Sequence, residues 1–508
     1  MNRHFSRLPL LVAGFAALAT ITAVSLHAAD GTWTFAGNGS WDMGSNWSGG
    51  TIATGANATA TFQYGLPNSI NSTITVDTDR TIGNLSFIGD ATNGTHNITL
   101  SGTKALTLST GTGTAPVITV NMGSRTVTIN TVLAGTEGVT LTDTTGGFVL
   151  GGANTYSGLT TITFGSITVN NNLAFGDTNG DTTIGTASNS AIILNNGIKV
   201  SGETLHARGT GTSAGGVLIT AANAVAEWAG NIQLDAGVSR FGANGTTAIL
   251  TLSGIISDGV TAGNPSAGSL AITQTGTVVL SGANTYTGTT QVVRGTMKLD
   301  VGNNRLPTGT ALDIWGAASG DNAVLNLNGF NQTVASLTRN IVVSGATSTL
   351  TNTSSTQSSF TVNGTTSTTY AGDITGNIAL VKAGTSTLTL SGANTFTGGI
   401  SVQAGTLSIN SAFINDTANV SLVTGSVFDL NFSGTDTIGA LLFDGVSQAI
   451  GTYGSISSTA AYKSSFFTGA GILNVTSLAA IPEPSAIAAL AGGLTLGLCA
   501  LRRRRSVC

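Results

Sequence analysis

The sequence predicts an all-β chain: a single long right-handed parallel β-helix over residues 30–480, with a signal peptide (1–29) before it and a tail (481–508) after it. Three observations predict this. A 21-residue segment recurs three times, and each copy reads strand, turn, strand, turn, strand. Glycine reaches 70 of 508 residues, yet the chain is 41% hydrophobic with mean hydropathy +0.29. That balance excludes disorder, which goes with low hydrophobicity and high charge, and fits many short strands between turns. Long helical periodicity is absent between residues 30 and 480.

The first element is a leader. Arg3 and Arg7 form a basic start, Leu8 to Leu26 an apolar run, and His27-Ala28-Ala29 a small-residue end before Asp30. This pattern is that of a secretory signal peptide cut by signal peptidase. Next comes Trp33 to Gly50, WTFAGNGSWDMGSNWSGG. Trp33, Trp41 and Trp47 are expected to seal the open end of the solenoid, because terminal repeats need caps. A sugar-stacking aromatic patch is the alternative.

The repeat defines the body. The copies are VLGGANTYSGLTTITFGSITV (149–169), VLSGANTYTGTTQVVRGTMKL (279–299) and TLSGANTFTGGISVQAGTLSI (389–409). They share Gly152/Gly282/Gly392, Asn154/Asn284/Asn394, Tyr156/Tyr286/Phe396 and Gly158/Gly288/Gly398, then Gly165/Gly295/Gly405. Apolar residues alternate with polar ones at the end of each copy, the period of two of a strand with one buried face. Gly and Asn stand where the chain must bend and tolerate positive φ, which is expected at Gly282 and Gly392. The aromatic is expected to fill a corner of the core. The offsets, 282 − 152 = 130 and 392 − 282 = 110, are near multiples of about 22 residues, one coil of a β-solenoid. About 20 such coils would fill the region, stacked at about 4.8 Å each. Gly451-Thr-Tyr-Gly454 and Phe467 to Val475 read as the last coils.

The segments at 280–297 and 390–407 closely resemble the hallmark of the autotransporter-associated β-strand repeat. True autotransporters end in a membrane β-barrel of alternating strands. This chain ends differently.

After Pro482-Glu483-Pro484 comes an uncharged apolar stretch, 485–501, then Arg502, Arg503, Arg504 and Arg505. Such a stretch is at the lower limit for crossing about 30 Å of hydrocarbon, and the arginines would hold its end in the cytoplasm. The order of these parts resembles the PEP-CTERM sorting signal of Gram-negative bacteria. The resemblance implies an exosortase-type membrane protease that cuts near the motif, transient anchoring by the helix, and a destination at the cell surface or in an extracellular polysaccharide or biofilm matrix.

Composition narrows the chemistry. Without Arg3, Arg7, Arg502 to Arg505 and Glu483, 12 of the 18 cations and 21 of the 22 anions remain, a net charge near −9. This argues against nucleic acid as a partner. Both cysteines, Cys499 and Cys508, lie in the tail, so no disulfide staples the body. No metal or cofactor is expected. His96 and His206 read as surface turn residues, with Glu203 the only acidic residue near His206 in sequence. Asp177-Thr-Asn-Gly-Asp181 starts like a calcium loop, but position twelve is Ser188 rather than a carboxylate. Asp77 and Asp79, at i and i+2, are expected to share a strand face. No Gly-x-Ser-x-Gly elbow stands beside a helix.

The expected function is therefore a non-enzymatic structural or adhesive surface protein. A carbohydrate-active β-helix enzyme, lyase or hydrolase, exported by the same route is the alternative. Three or more charged side chains gathered on one face would favour the enzyme.

Overall fold

The computed structural model describes residues 28–479 except 65–70, 90–95, 186–188, 212–214, 236 and 262–263. The leader (1–27), the Pro482–Pro484 motif, the stretch 485–501 and Arg502 to Arg505 lie outside the described residues. Among the described residues no helix is long and apolar enough to cross a membrane.

The chain winds into a parallel β-solenoid of about 15 turns. One column of strands shows the winding. Gly31 pairs with Ala60, the same strand pairs onward at Leu85, and Leu85 pairs with Ile118. The column continues through Leu141, Ile162 and Ile184, and its later coils carry Leu205, Ile232 and Ile256. Every one of these residues from Ala60 onward is buried. Side chains alternate inward and outward along each strand, so coil after coil lays apolar residues on the same interior line. Near the other end the line Leu388, Leu407, Phe428, Phe467 does the same. Each such side chain contributes about 1.5–3 kcal/mol by leaving water.

The turns are fewer than a uniform coil length predicts, because many coils are longer than the repeat unit. Thr277 stacks on Thr296, a short step, whereas the steps from Ile249 to Thr277 and from Asn322 to Thr347 are longer. The extra residues extend corners and leave the strands in register.

The tryptophan cap is as expected. Trp33, Trp41 and Trp47 are at most 2% exposed and pack edge-on or tilted against one another and Phe62, which stacks on Phe87 at 4.7 Å. Their indole N–H groups donate to Phe35 O (2.8 Å), Ala53 O (3.1 Å) and Trp41 O (2.8 Å). No tryptophan face is left there for a sugar. Ala29, the last residue of the expected leader, exchanges two hydrogen bonds with Thr54 (2.8 and 3.0 Å). The C-terminal end differs from the expectation of plain final coils. Gly451–Gly454 runs antiparallel to Ile472–Val475 and folds back over the last turn. Phe443 stacks on Phe466 at 4.5 Å beneath it. The reversal blunts a parallel edge that could otherwise pair with another chain.

The repeat residues have defined tasks. Asn154, Asn284 and Asn394 are buried. Each side-chain oxygen accepts the backbone N–H of an adjacent coil: Leu133 (3.0 Å), Ile256 (2.8 Å) and Ile374 (3.0 Å). The amides of Asn154 and Asn284 donate to the coil on the other side, at Ala174 O (2.7 Å) and Arg305 O (2.8 Å). One asparagine thus bridges three coils. Tyr156 and Tyr286 are buried, with hydroxyls bonded to Thr160 (2.9 Å) and Thr290 (2.5 Å). The third repeat replaces both members together, with Phe396 and Ile400, so no polar atom is orphaned.

The expected positive φ at Gly282 and Gly392 does not occur; nor do Gly152, Gly288 and Gly398 have it, whereas Gly158 does, at 92°. A Cβ at Gly152, Gly282 or Gly392 would press into the carbonyl oxygen of Thr131, Gly254 or Gly372 in the preceding coil. Close stacking, not backbone handedness, selects glycine at these three positions. Positive φ falls instead at Gly165, Gly295 and Gly405, at 84°, 73° and 65°.

Two outcomes follow. Asn284→Ala strands the buried Ile256 N–H and should lower the free energy of local opening by about 1–3 kcal/mol. Hydrogen exchange should quicken at Ile256 and neighbouring coils while the tryptophan cap keeps its wild-type rate. Gly392→Val should cost about 1–3 kcal/mol through overpacking. Limited proteolysis should open residues 380–410 and spare distant coils.

Candidate functional site

Some of the charged side chains of the body form ion pairs between coils. Asp42 with Arg80 and Asp321 with Arg294 stand far apart along the chain, whereas Asp181 with His206, Lys199 with Glu227 and Arg208 with Asp235 link successive coils between residues 181 and 235. Among the described residues no group of three or more His, Cys, Asp or Glu could hold a metal ion.

The residues singled out in the sequence are dispersed accordingly. Asp77 and Asp79 lie in a turn rather than on a strand face. Asp77 accepts from Ser40 Oγ, and Asp79 accepts from the Ala105 backbone N–H of the next coil at 2.9 Å. The chain bends between them, so period-two facing does not apply. Asp177 is occupied by Asn179, which donates from its backbone (3.0 Å) and its amide (3.1 Å). His96 is not a surface residue: it is 2% exposed, and burial together with Arg125 holds its pKa below the usual imidazole value. The flanking Thr and Asn suggested an exposed turn, but the coil stacking covers it. His206 binds Asp181 through Nε2 at 2.8 Å, a contact across coils invisible in sequence spacing.

Buried polar groups line the interior. Glu203 is 3% exposed and accepts from Thr182 Oγ1 at 2.6 Å. Burial pushes its pKa up to about 7, with Asp181 and Asp177 adding in the same direction. Asp143 rises to about 6 through burial, and its Oδ1 has no hydrogen-bond partner among the described residues. Lys382 is wholly buried, donates to Gly384 O, and has its pKa lowered by desolvation. These groups face the core and form no site open to a substrate.

One cleft stands apart. It is built where successive coils leave a strand and turn the same corner. Gly237–Gly242, Gly268–Thr273, Thr290–Val292 and Ala311–Ile314 stack in parallel register. The residues at and after their ends, Thr273, Gln274, Val293, Arg294 and Trp315, line the corner with Arg240, Gly215 and Ala317. They enclose about 220 Å³. Trp315 is half-buried and lines the cleft, whereas the other four tryptophans are buried to 2% or less. Arg294 is held by Asp321, Nε to Oδ1 at 2.6 Å. Asp321 is anchored in turn by the Ala318 backbone N–H at 2.8 Å. Arg240 is exposed and makes no ion pair among the described residues. Gln274 has φ of +70°, and its amide makes no hydrogen bond among the described residues.

Sequence reasoning missed this cleft. The one signal for it is Arg294, which stands in the repeat where the other copies have Phe164 and Ala404.

The pH dependence of stability has a definite sign. Glu203 has a folded value near 7 against an ordinary value of 4.5. Its contribution is present below about pH 4.5 and is lost as pH rises through about 7, since ionisation is then penalised only in the folded state. Glu203→Gln should leave stability at pH 4 nearly unchanged and raise it at pH 8 by about 3 kcal/mol. Denaturant melts at the two pH values measure this.

Residues 145–169, 273–299 and 380–409 match the passenger-associated-transport-repeat family, covering the three repeats described above. The adhesin BmaC autotransporter of Brucella suis biovar 1 (strain 1330) is 35% identical over 166 residues, 31% of this chain. That stretch is 4% of the relative's length, so the likeness is to a small part of the adhesin and not to the whole of it. No solved structure matches the chain. The chain is thus a β-solenoid carrying three passenger-associated-transport repeats and similar, over part of its length, to an autotransporter adhesin.

Proposed function

We propose that this chain is an exported, non-enzymatic structural or adhesive protein of the cell surface or extracellular matrix. The observation that supports this most is the parallel solenoid of the described residues: several of its charged groups are paired between coils, and three of its segments match a passenger-associated repeat family. A stiff rod of stacked coils, faced with Thr, Ser and Asn, offers hydroxyls and amides at a regular spacing of about 4.8 Å. Such a surface suits many weak contacts with extracellular polysaccharide. Its acidic balance disfavours nucleic acid, and the function calls for no cofactor.

The route is part of the proposal. Signal peptidase removes the leader near Ala29. The apolar stretch 485–501 then holds the chain in the inner membrane, with Arg502 to Arg505 as its cytoplasmic stop. Each arginine costs about 2.5–3.5 kcal/mol at the bilayer centre. An exosortase-type protease cuts near Pro482-Glu483-Pro484, since proline disfavours continuation of a helix through the motif.

Mass spectrometry of the mature protein tests the route. The wild-type product should end before Cys499, and replacement of Pro482, Glu483 and Pro484 by alanine should leave uncut protein in the inner membrane. Deleting Arg502 to Arg505 should weaken retention before the cut. Secreted or surface product with peptides reaching Arg502 would sink the processing step.

A further inference from the structure

We propose that the corner cleft between Arg240 and Trp315 is a binding site for a carboxylated saccharide, an acidic sugar unit within a longer polysaccharide. The inference rests on the proposed polysaccharide association and deepens it.

Four observations carry it. Among the described residues Trp315 offers the only tryptophan surface not buried in the core, and it lines a cavity rather than an end of the rod. A pyranose presents C–H groups on its ring face, and these pack against an aromatic face. Arg240, exposed and without a carboxylate among the described residues, brings an uncompensated cation to the same wall. A guanidinium matches a carboxylate in shape and charge. Gln274 adds a donor and an acceptor not engaged with the described residues, on a backbone held at φ +70°. Such backbone conformations persist at ligand-binding positions when the surroundings enforce them. Here Gly295 of the next coil packs against that backbone, so closely that a Cβ there would meet Gln274 O.

The fourth observation is a second hollow of about 260 Å³, with Arg294 in the wall of both. Its other lining is polar and includes Thr246, Thr275, Asp321 and Asn322. Each hollow has room for one sugar ring. The pair therefore suits a chain, with the acidic unit beside Arg240 and Trp315 and a hydroxyl-rich neighbour beside Asp321. Asp321 would repel a second carboxylate, so the two hollows differ in what they accept. Its pairing with Arg294 keeps that guanidinium in place and leaves Arg240 as the cleft's unpaired cation among the described residues.

Calorimetric titration of the full chain in detergent tests the assignment, with three probes: a tetrameric oligouronate, its carboxyl-reduced neutral counterpart, and inorganic phosphate. The oligouronate should bind saturably, the neutral oligosaccharide at least tenfold more weakly, and phosphate without saturation. Arg240→Gln and Trp315→Leu should each weaken oligouronate binding at least tenfold, and Trp315→Phe should keep most of it by keeping a ring. Lys199→Gln, an exposed cation that pairs with Glu227 and lines neither hollow, should bind as the wild type. Arg240 is exposed, so its variant is expected to keep the wild-type circular dichroism and to decide the matter even if Trp315→Leu misfolds. Absence of oligouronate binding, equal affinity for the neutral probe, unchanged affinity in Arg240→Gln, or an equal loss in Lys199→Gln would each overturn the assignment. Wild-type protein that adheres to matrix polysaccharide but ignores oligouronate overturns the cleft alone. Protein that binds oligouronate through Arg240 yet is never exported supports the cleft and overturns the sorting reading.

Discussion

The structure depends on satisfying backbone hydrogen bonds between coils where the strands stop. Along the strands the parallel ladder does this without help. At each corner the chain bends, the ladder lapses, and N–H groups of one coil would face another with no acceptor. Where the donor is buried, as at Leu133, Ile256 and Ile374, leaving it that way costs about 1–3 kcal/mol, and at the exposed corners the cost is smaller because water can reach them. Asparagine and aspartate oxygens fill the gap. Asn71 accepts from Asn97 N–H, Asn97 from Thr126 N–H and Asn84 from Val117 N–H, all at 2.9 Å. Asn303 and Asn331 continue the device at 2.8 and 2.7 Å further along the rod. The abundance of Asn follows from a requirement repeated at corner after corner.

Glycine answers the companion constraint. Coils separated by one hydrogen-bond length leave no room for a side chain that points along the axis. Gly254, Gly282 and Gly392 stand where a Cβ would meet the carbonyl of the preceding coil. The interior is correspondingly tight. Even Lys382 and Glu203 are accommodated only because carbonyls or hydroxyls receive them. Burial still shifts their pKa values against charge.

This division of labour explains where function can reside. Positions constant among the three repeats, Gly, Asn and the apolar strand residues, are consumed by stacking. Some positions that vary stay in the core, as Tyr156 and Phe396 do, and others point outward or sit at corners. Arg294 is a variable corner position of its repeat and Trp315 lies on the coil after it, and stacking brings both beside Arg240 and Gln274 although several coils of chain separate the extremes. Pairs such as Asp181 with His206 arise in the same way, between adjacent coils. The solenoid makes neighbours of residues one coil apart, so local spacing in sequence says little about which side chains meet.

What the sequence determined by itself is the architecture. Period-two strands, the repeated Gly-Ala-Asn corner and the lack of helical periodicity specify a parallel solenoid, because each is a local requirement that every coil must meet. The three tryptophans near the start could be read as a cap for the same reason. Only the tertiary structure decided the rest. Coil lengths vary, as the short step from Thr277 to Thr296 and the longer one from Ile249 to Thr277 show, so which outward residues stack depends on accumulated register. It placed His96 inside, put Asp77 and Asp79 in a turn, and folded the C-terminal strands back antiparallel. It also gave Gly392 its role, since the obstructing carbonyl of Gly372 belongs to another coil. Backbone periodicity is written in nearest neighbours along the chain; contact between side chains is set by the stacking of coils, which no short stretch of sequence contains.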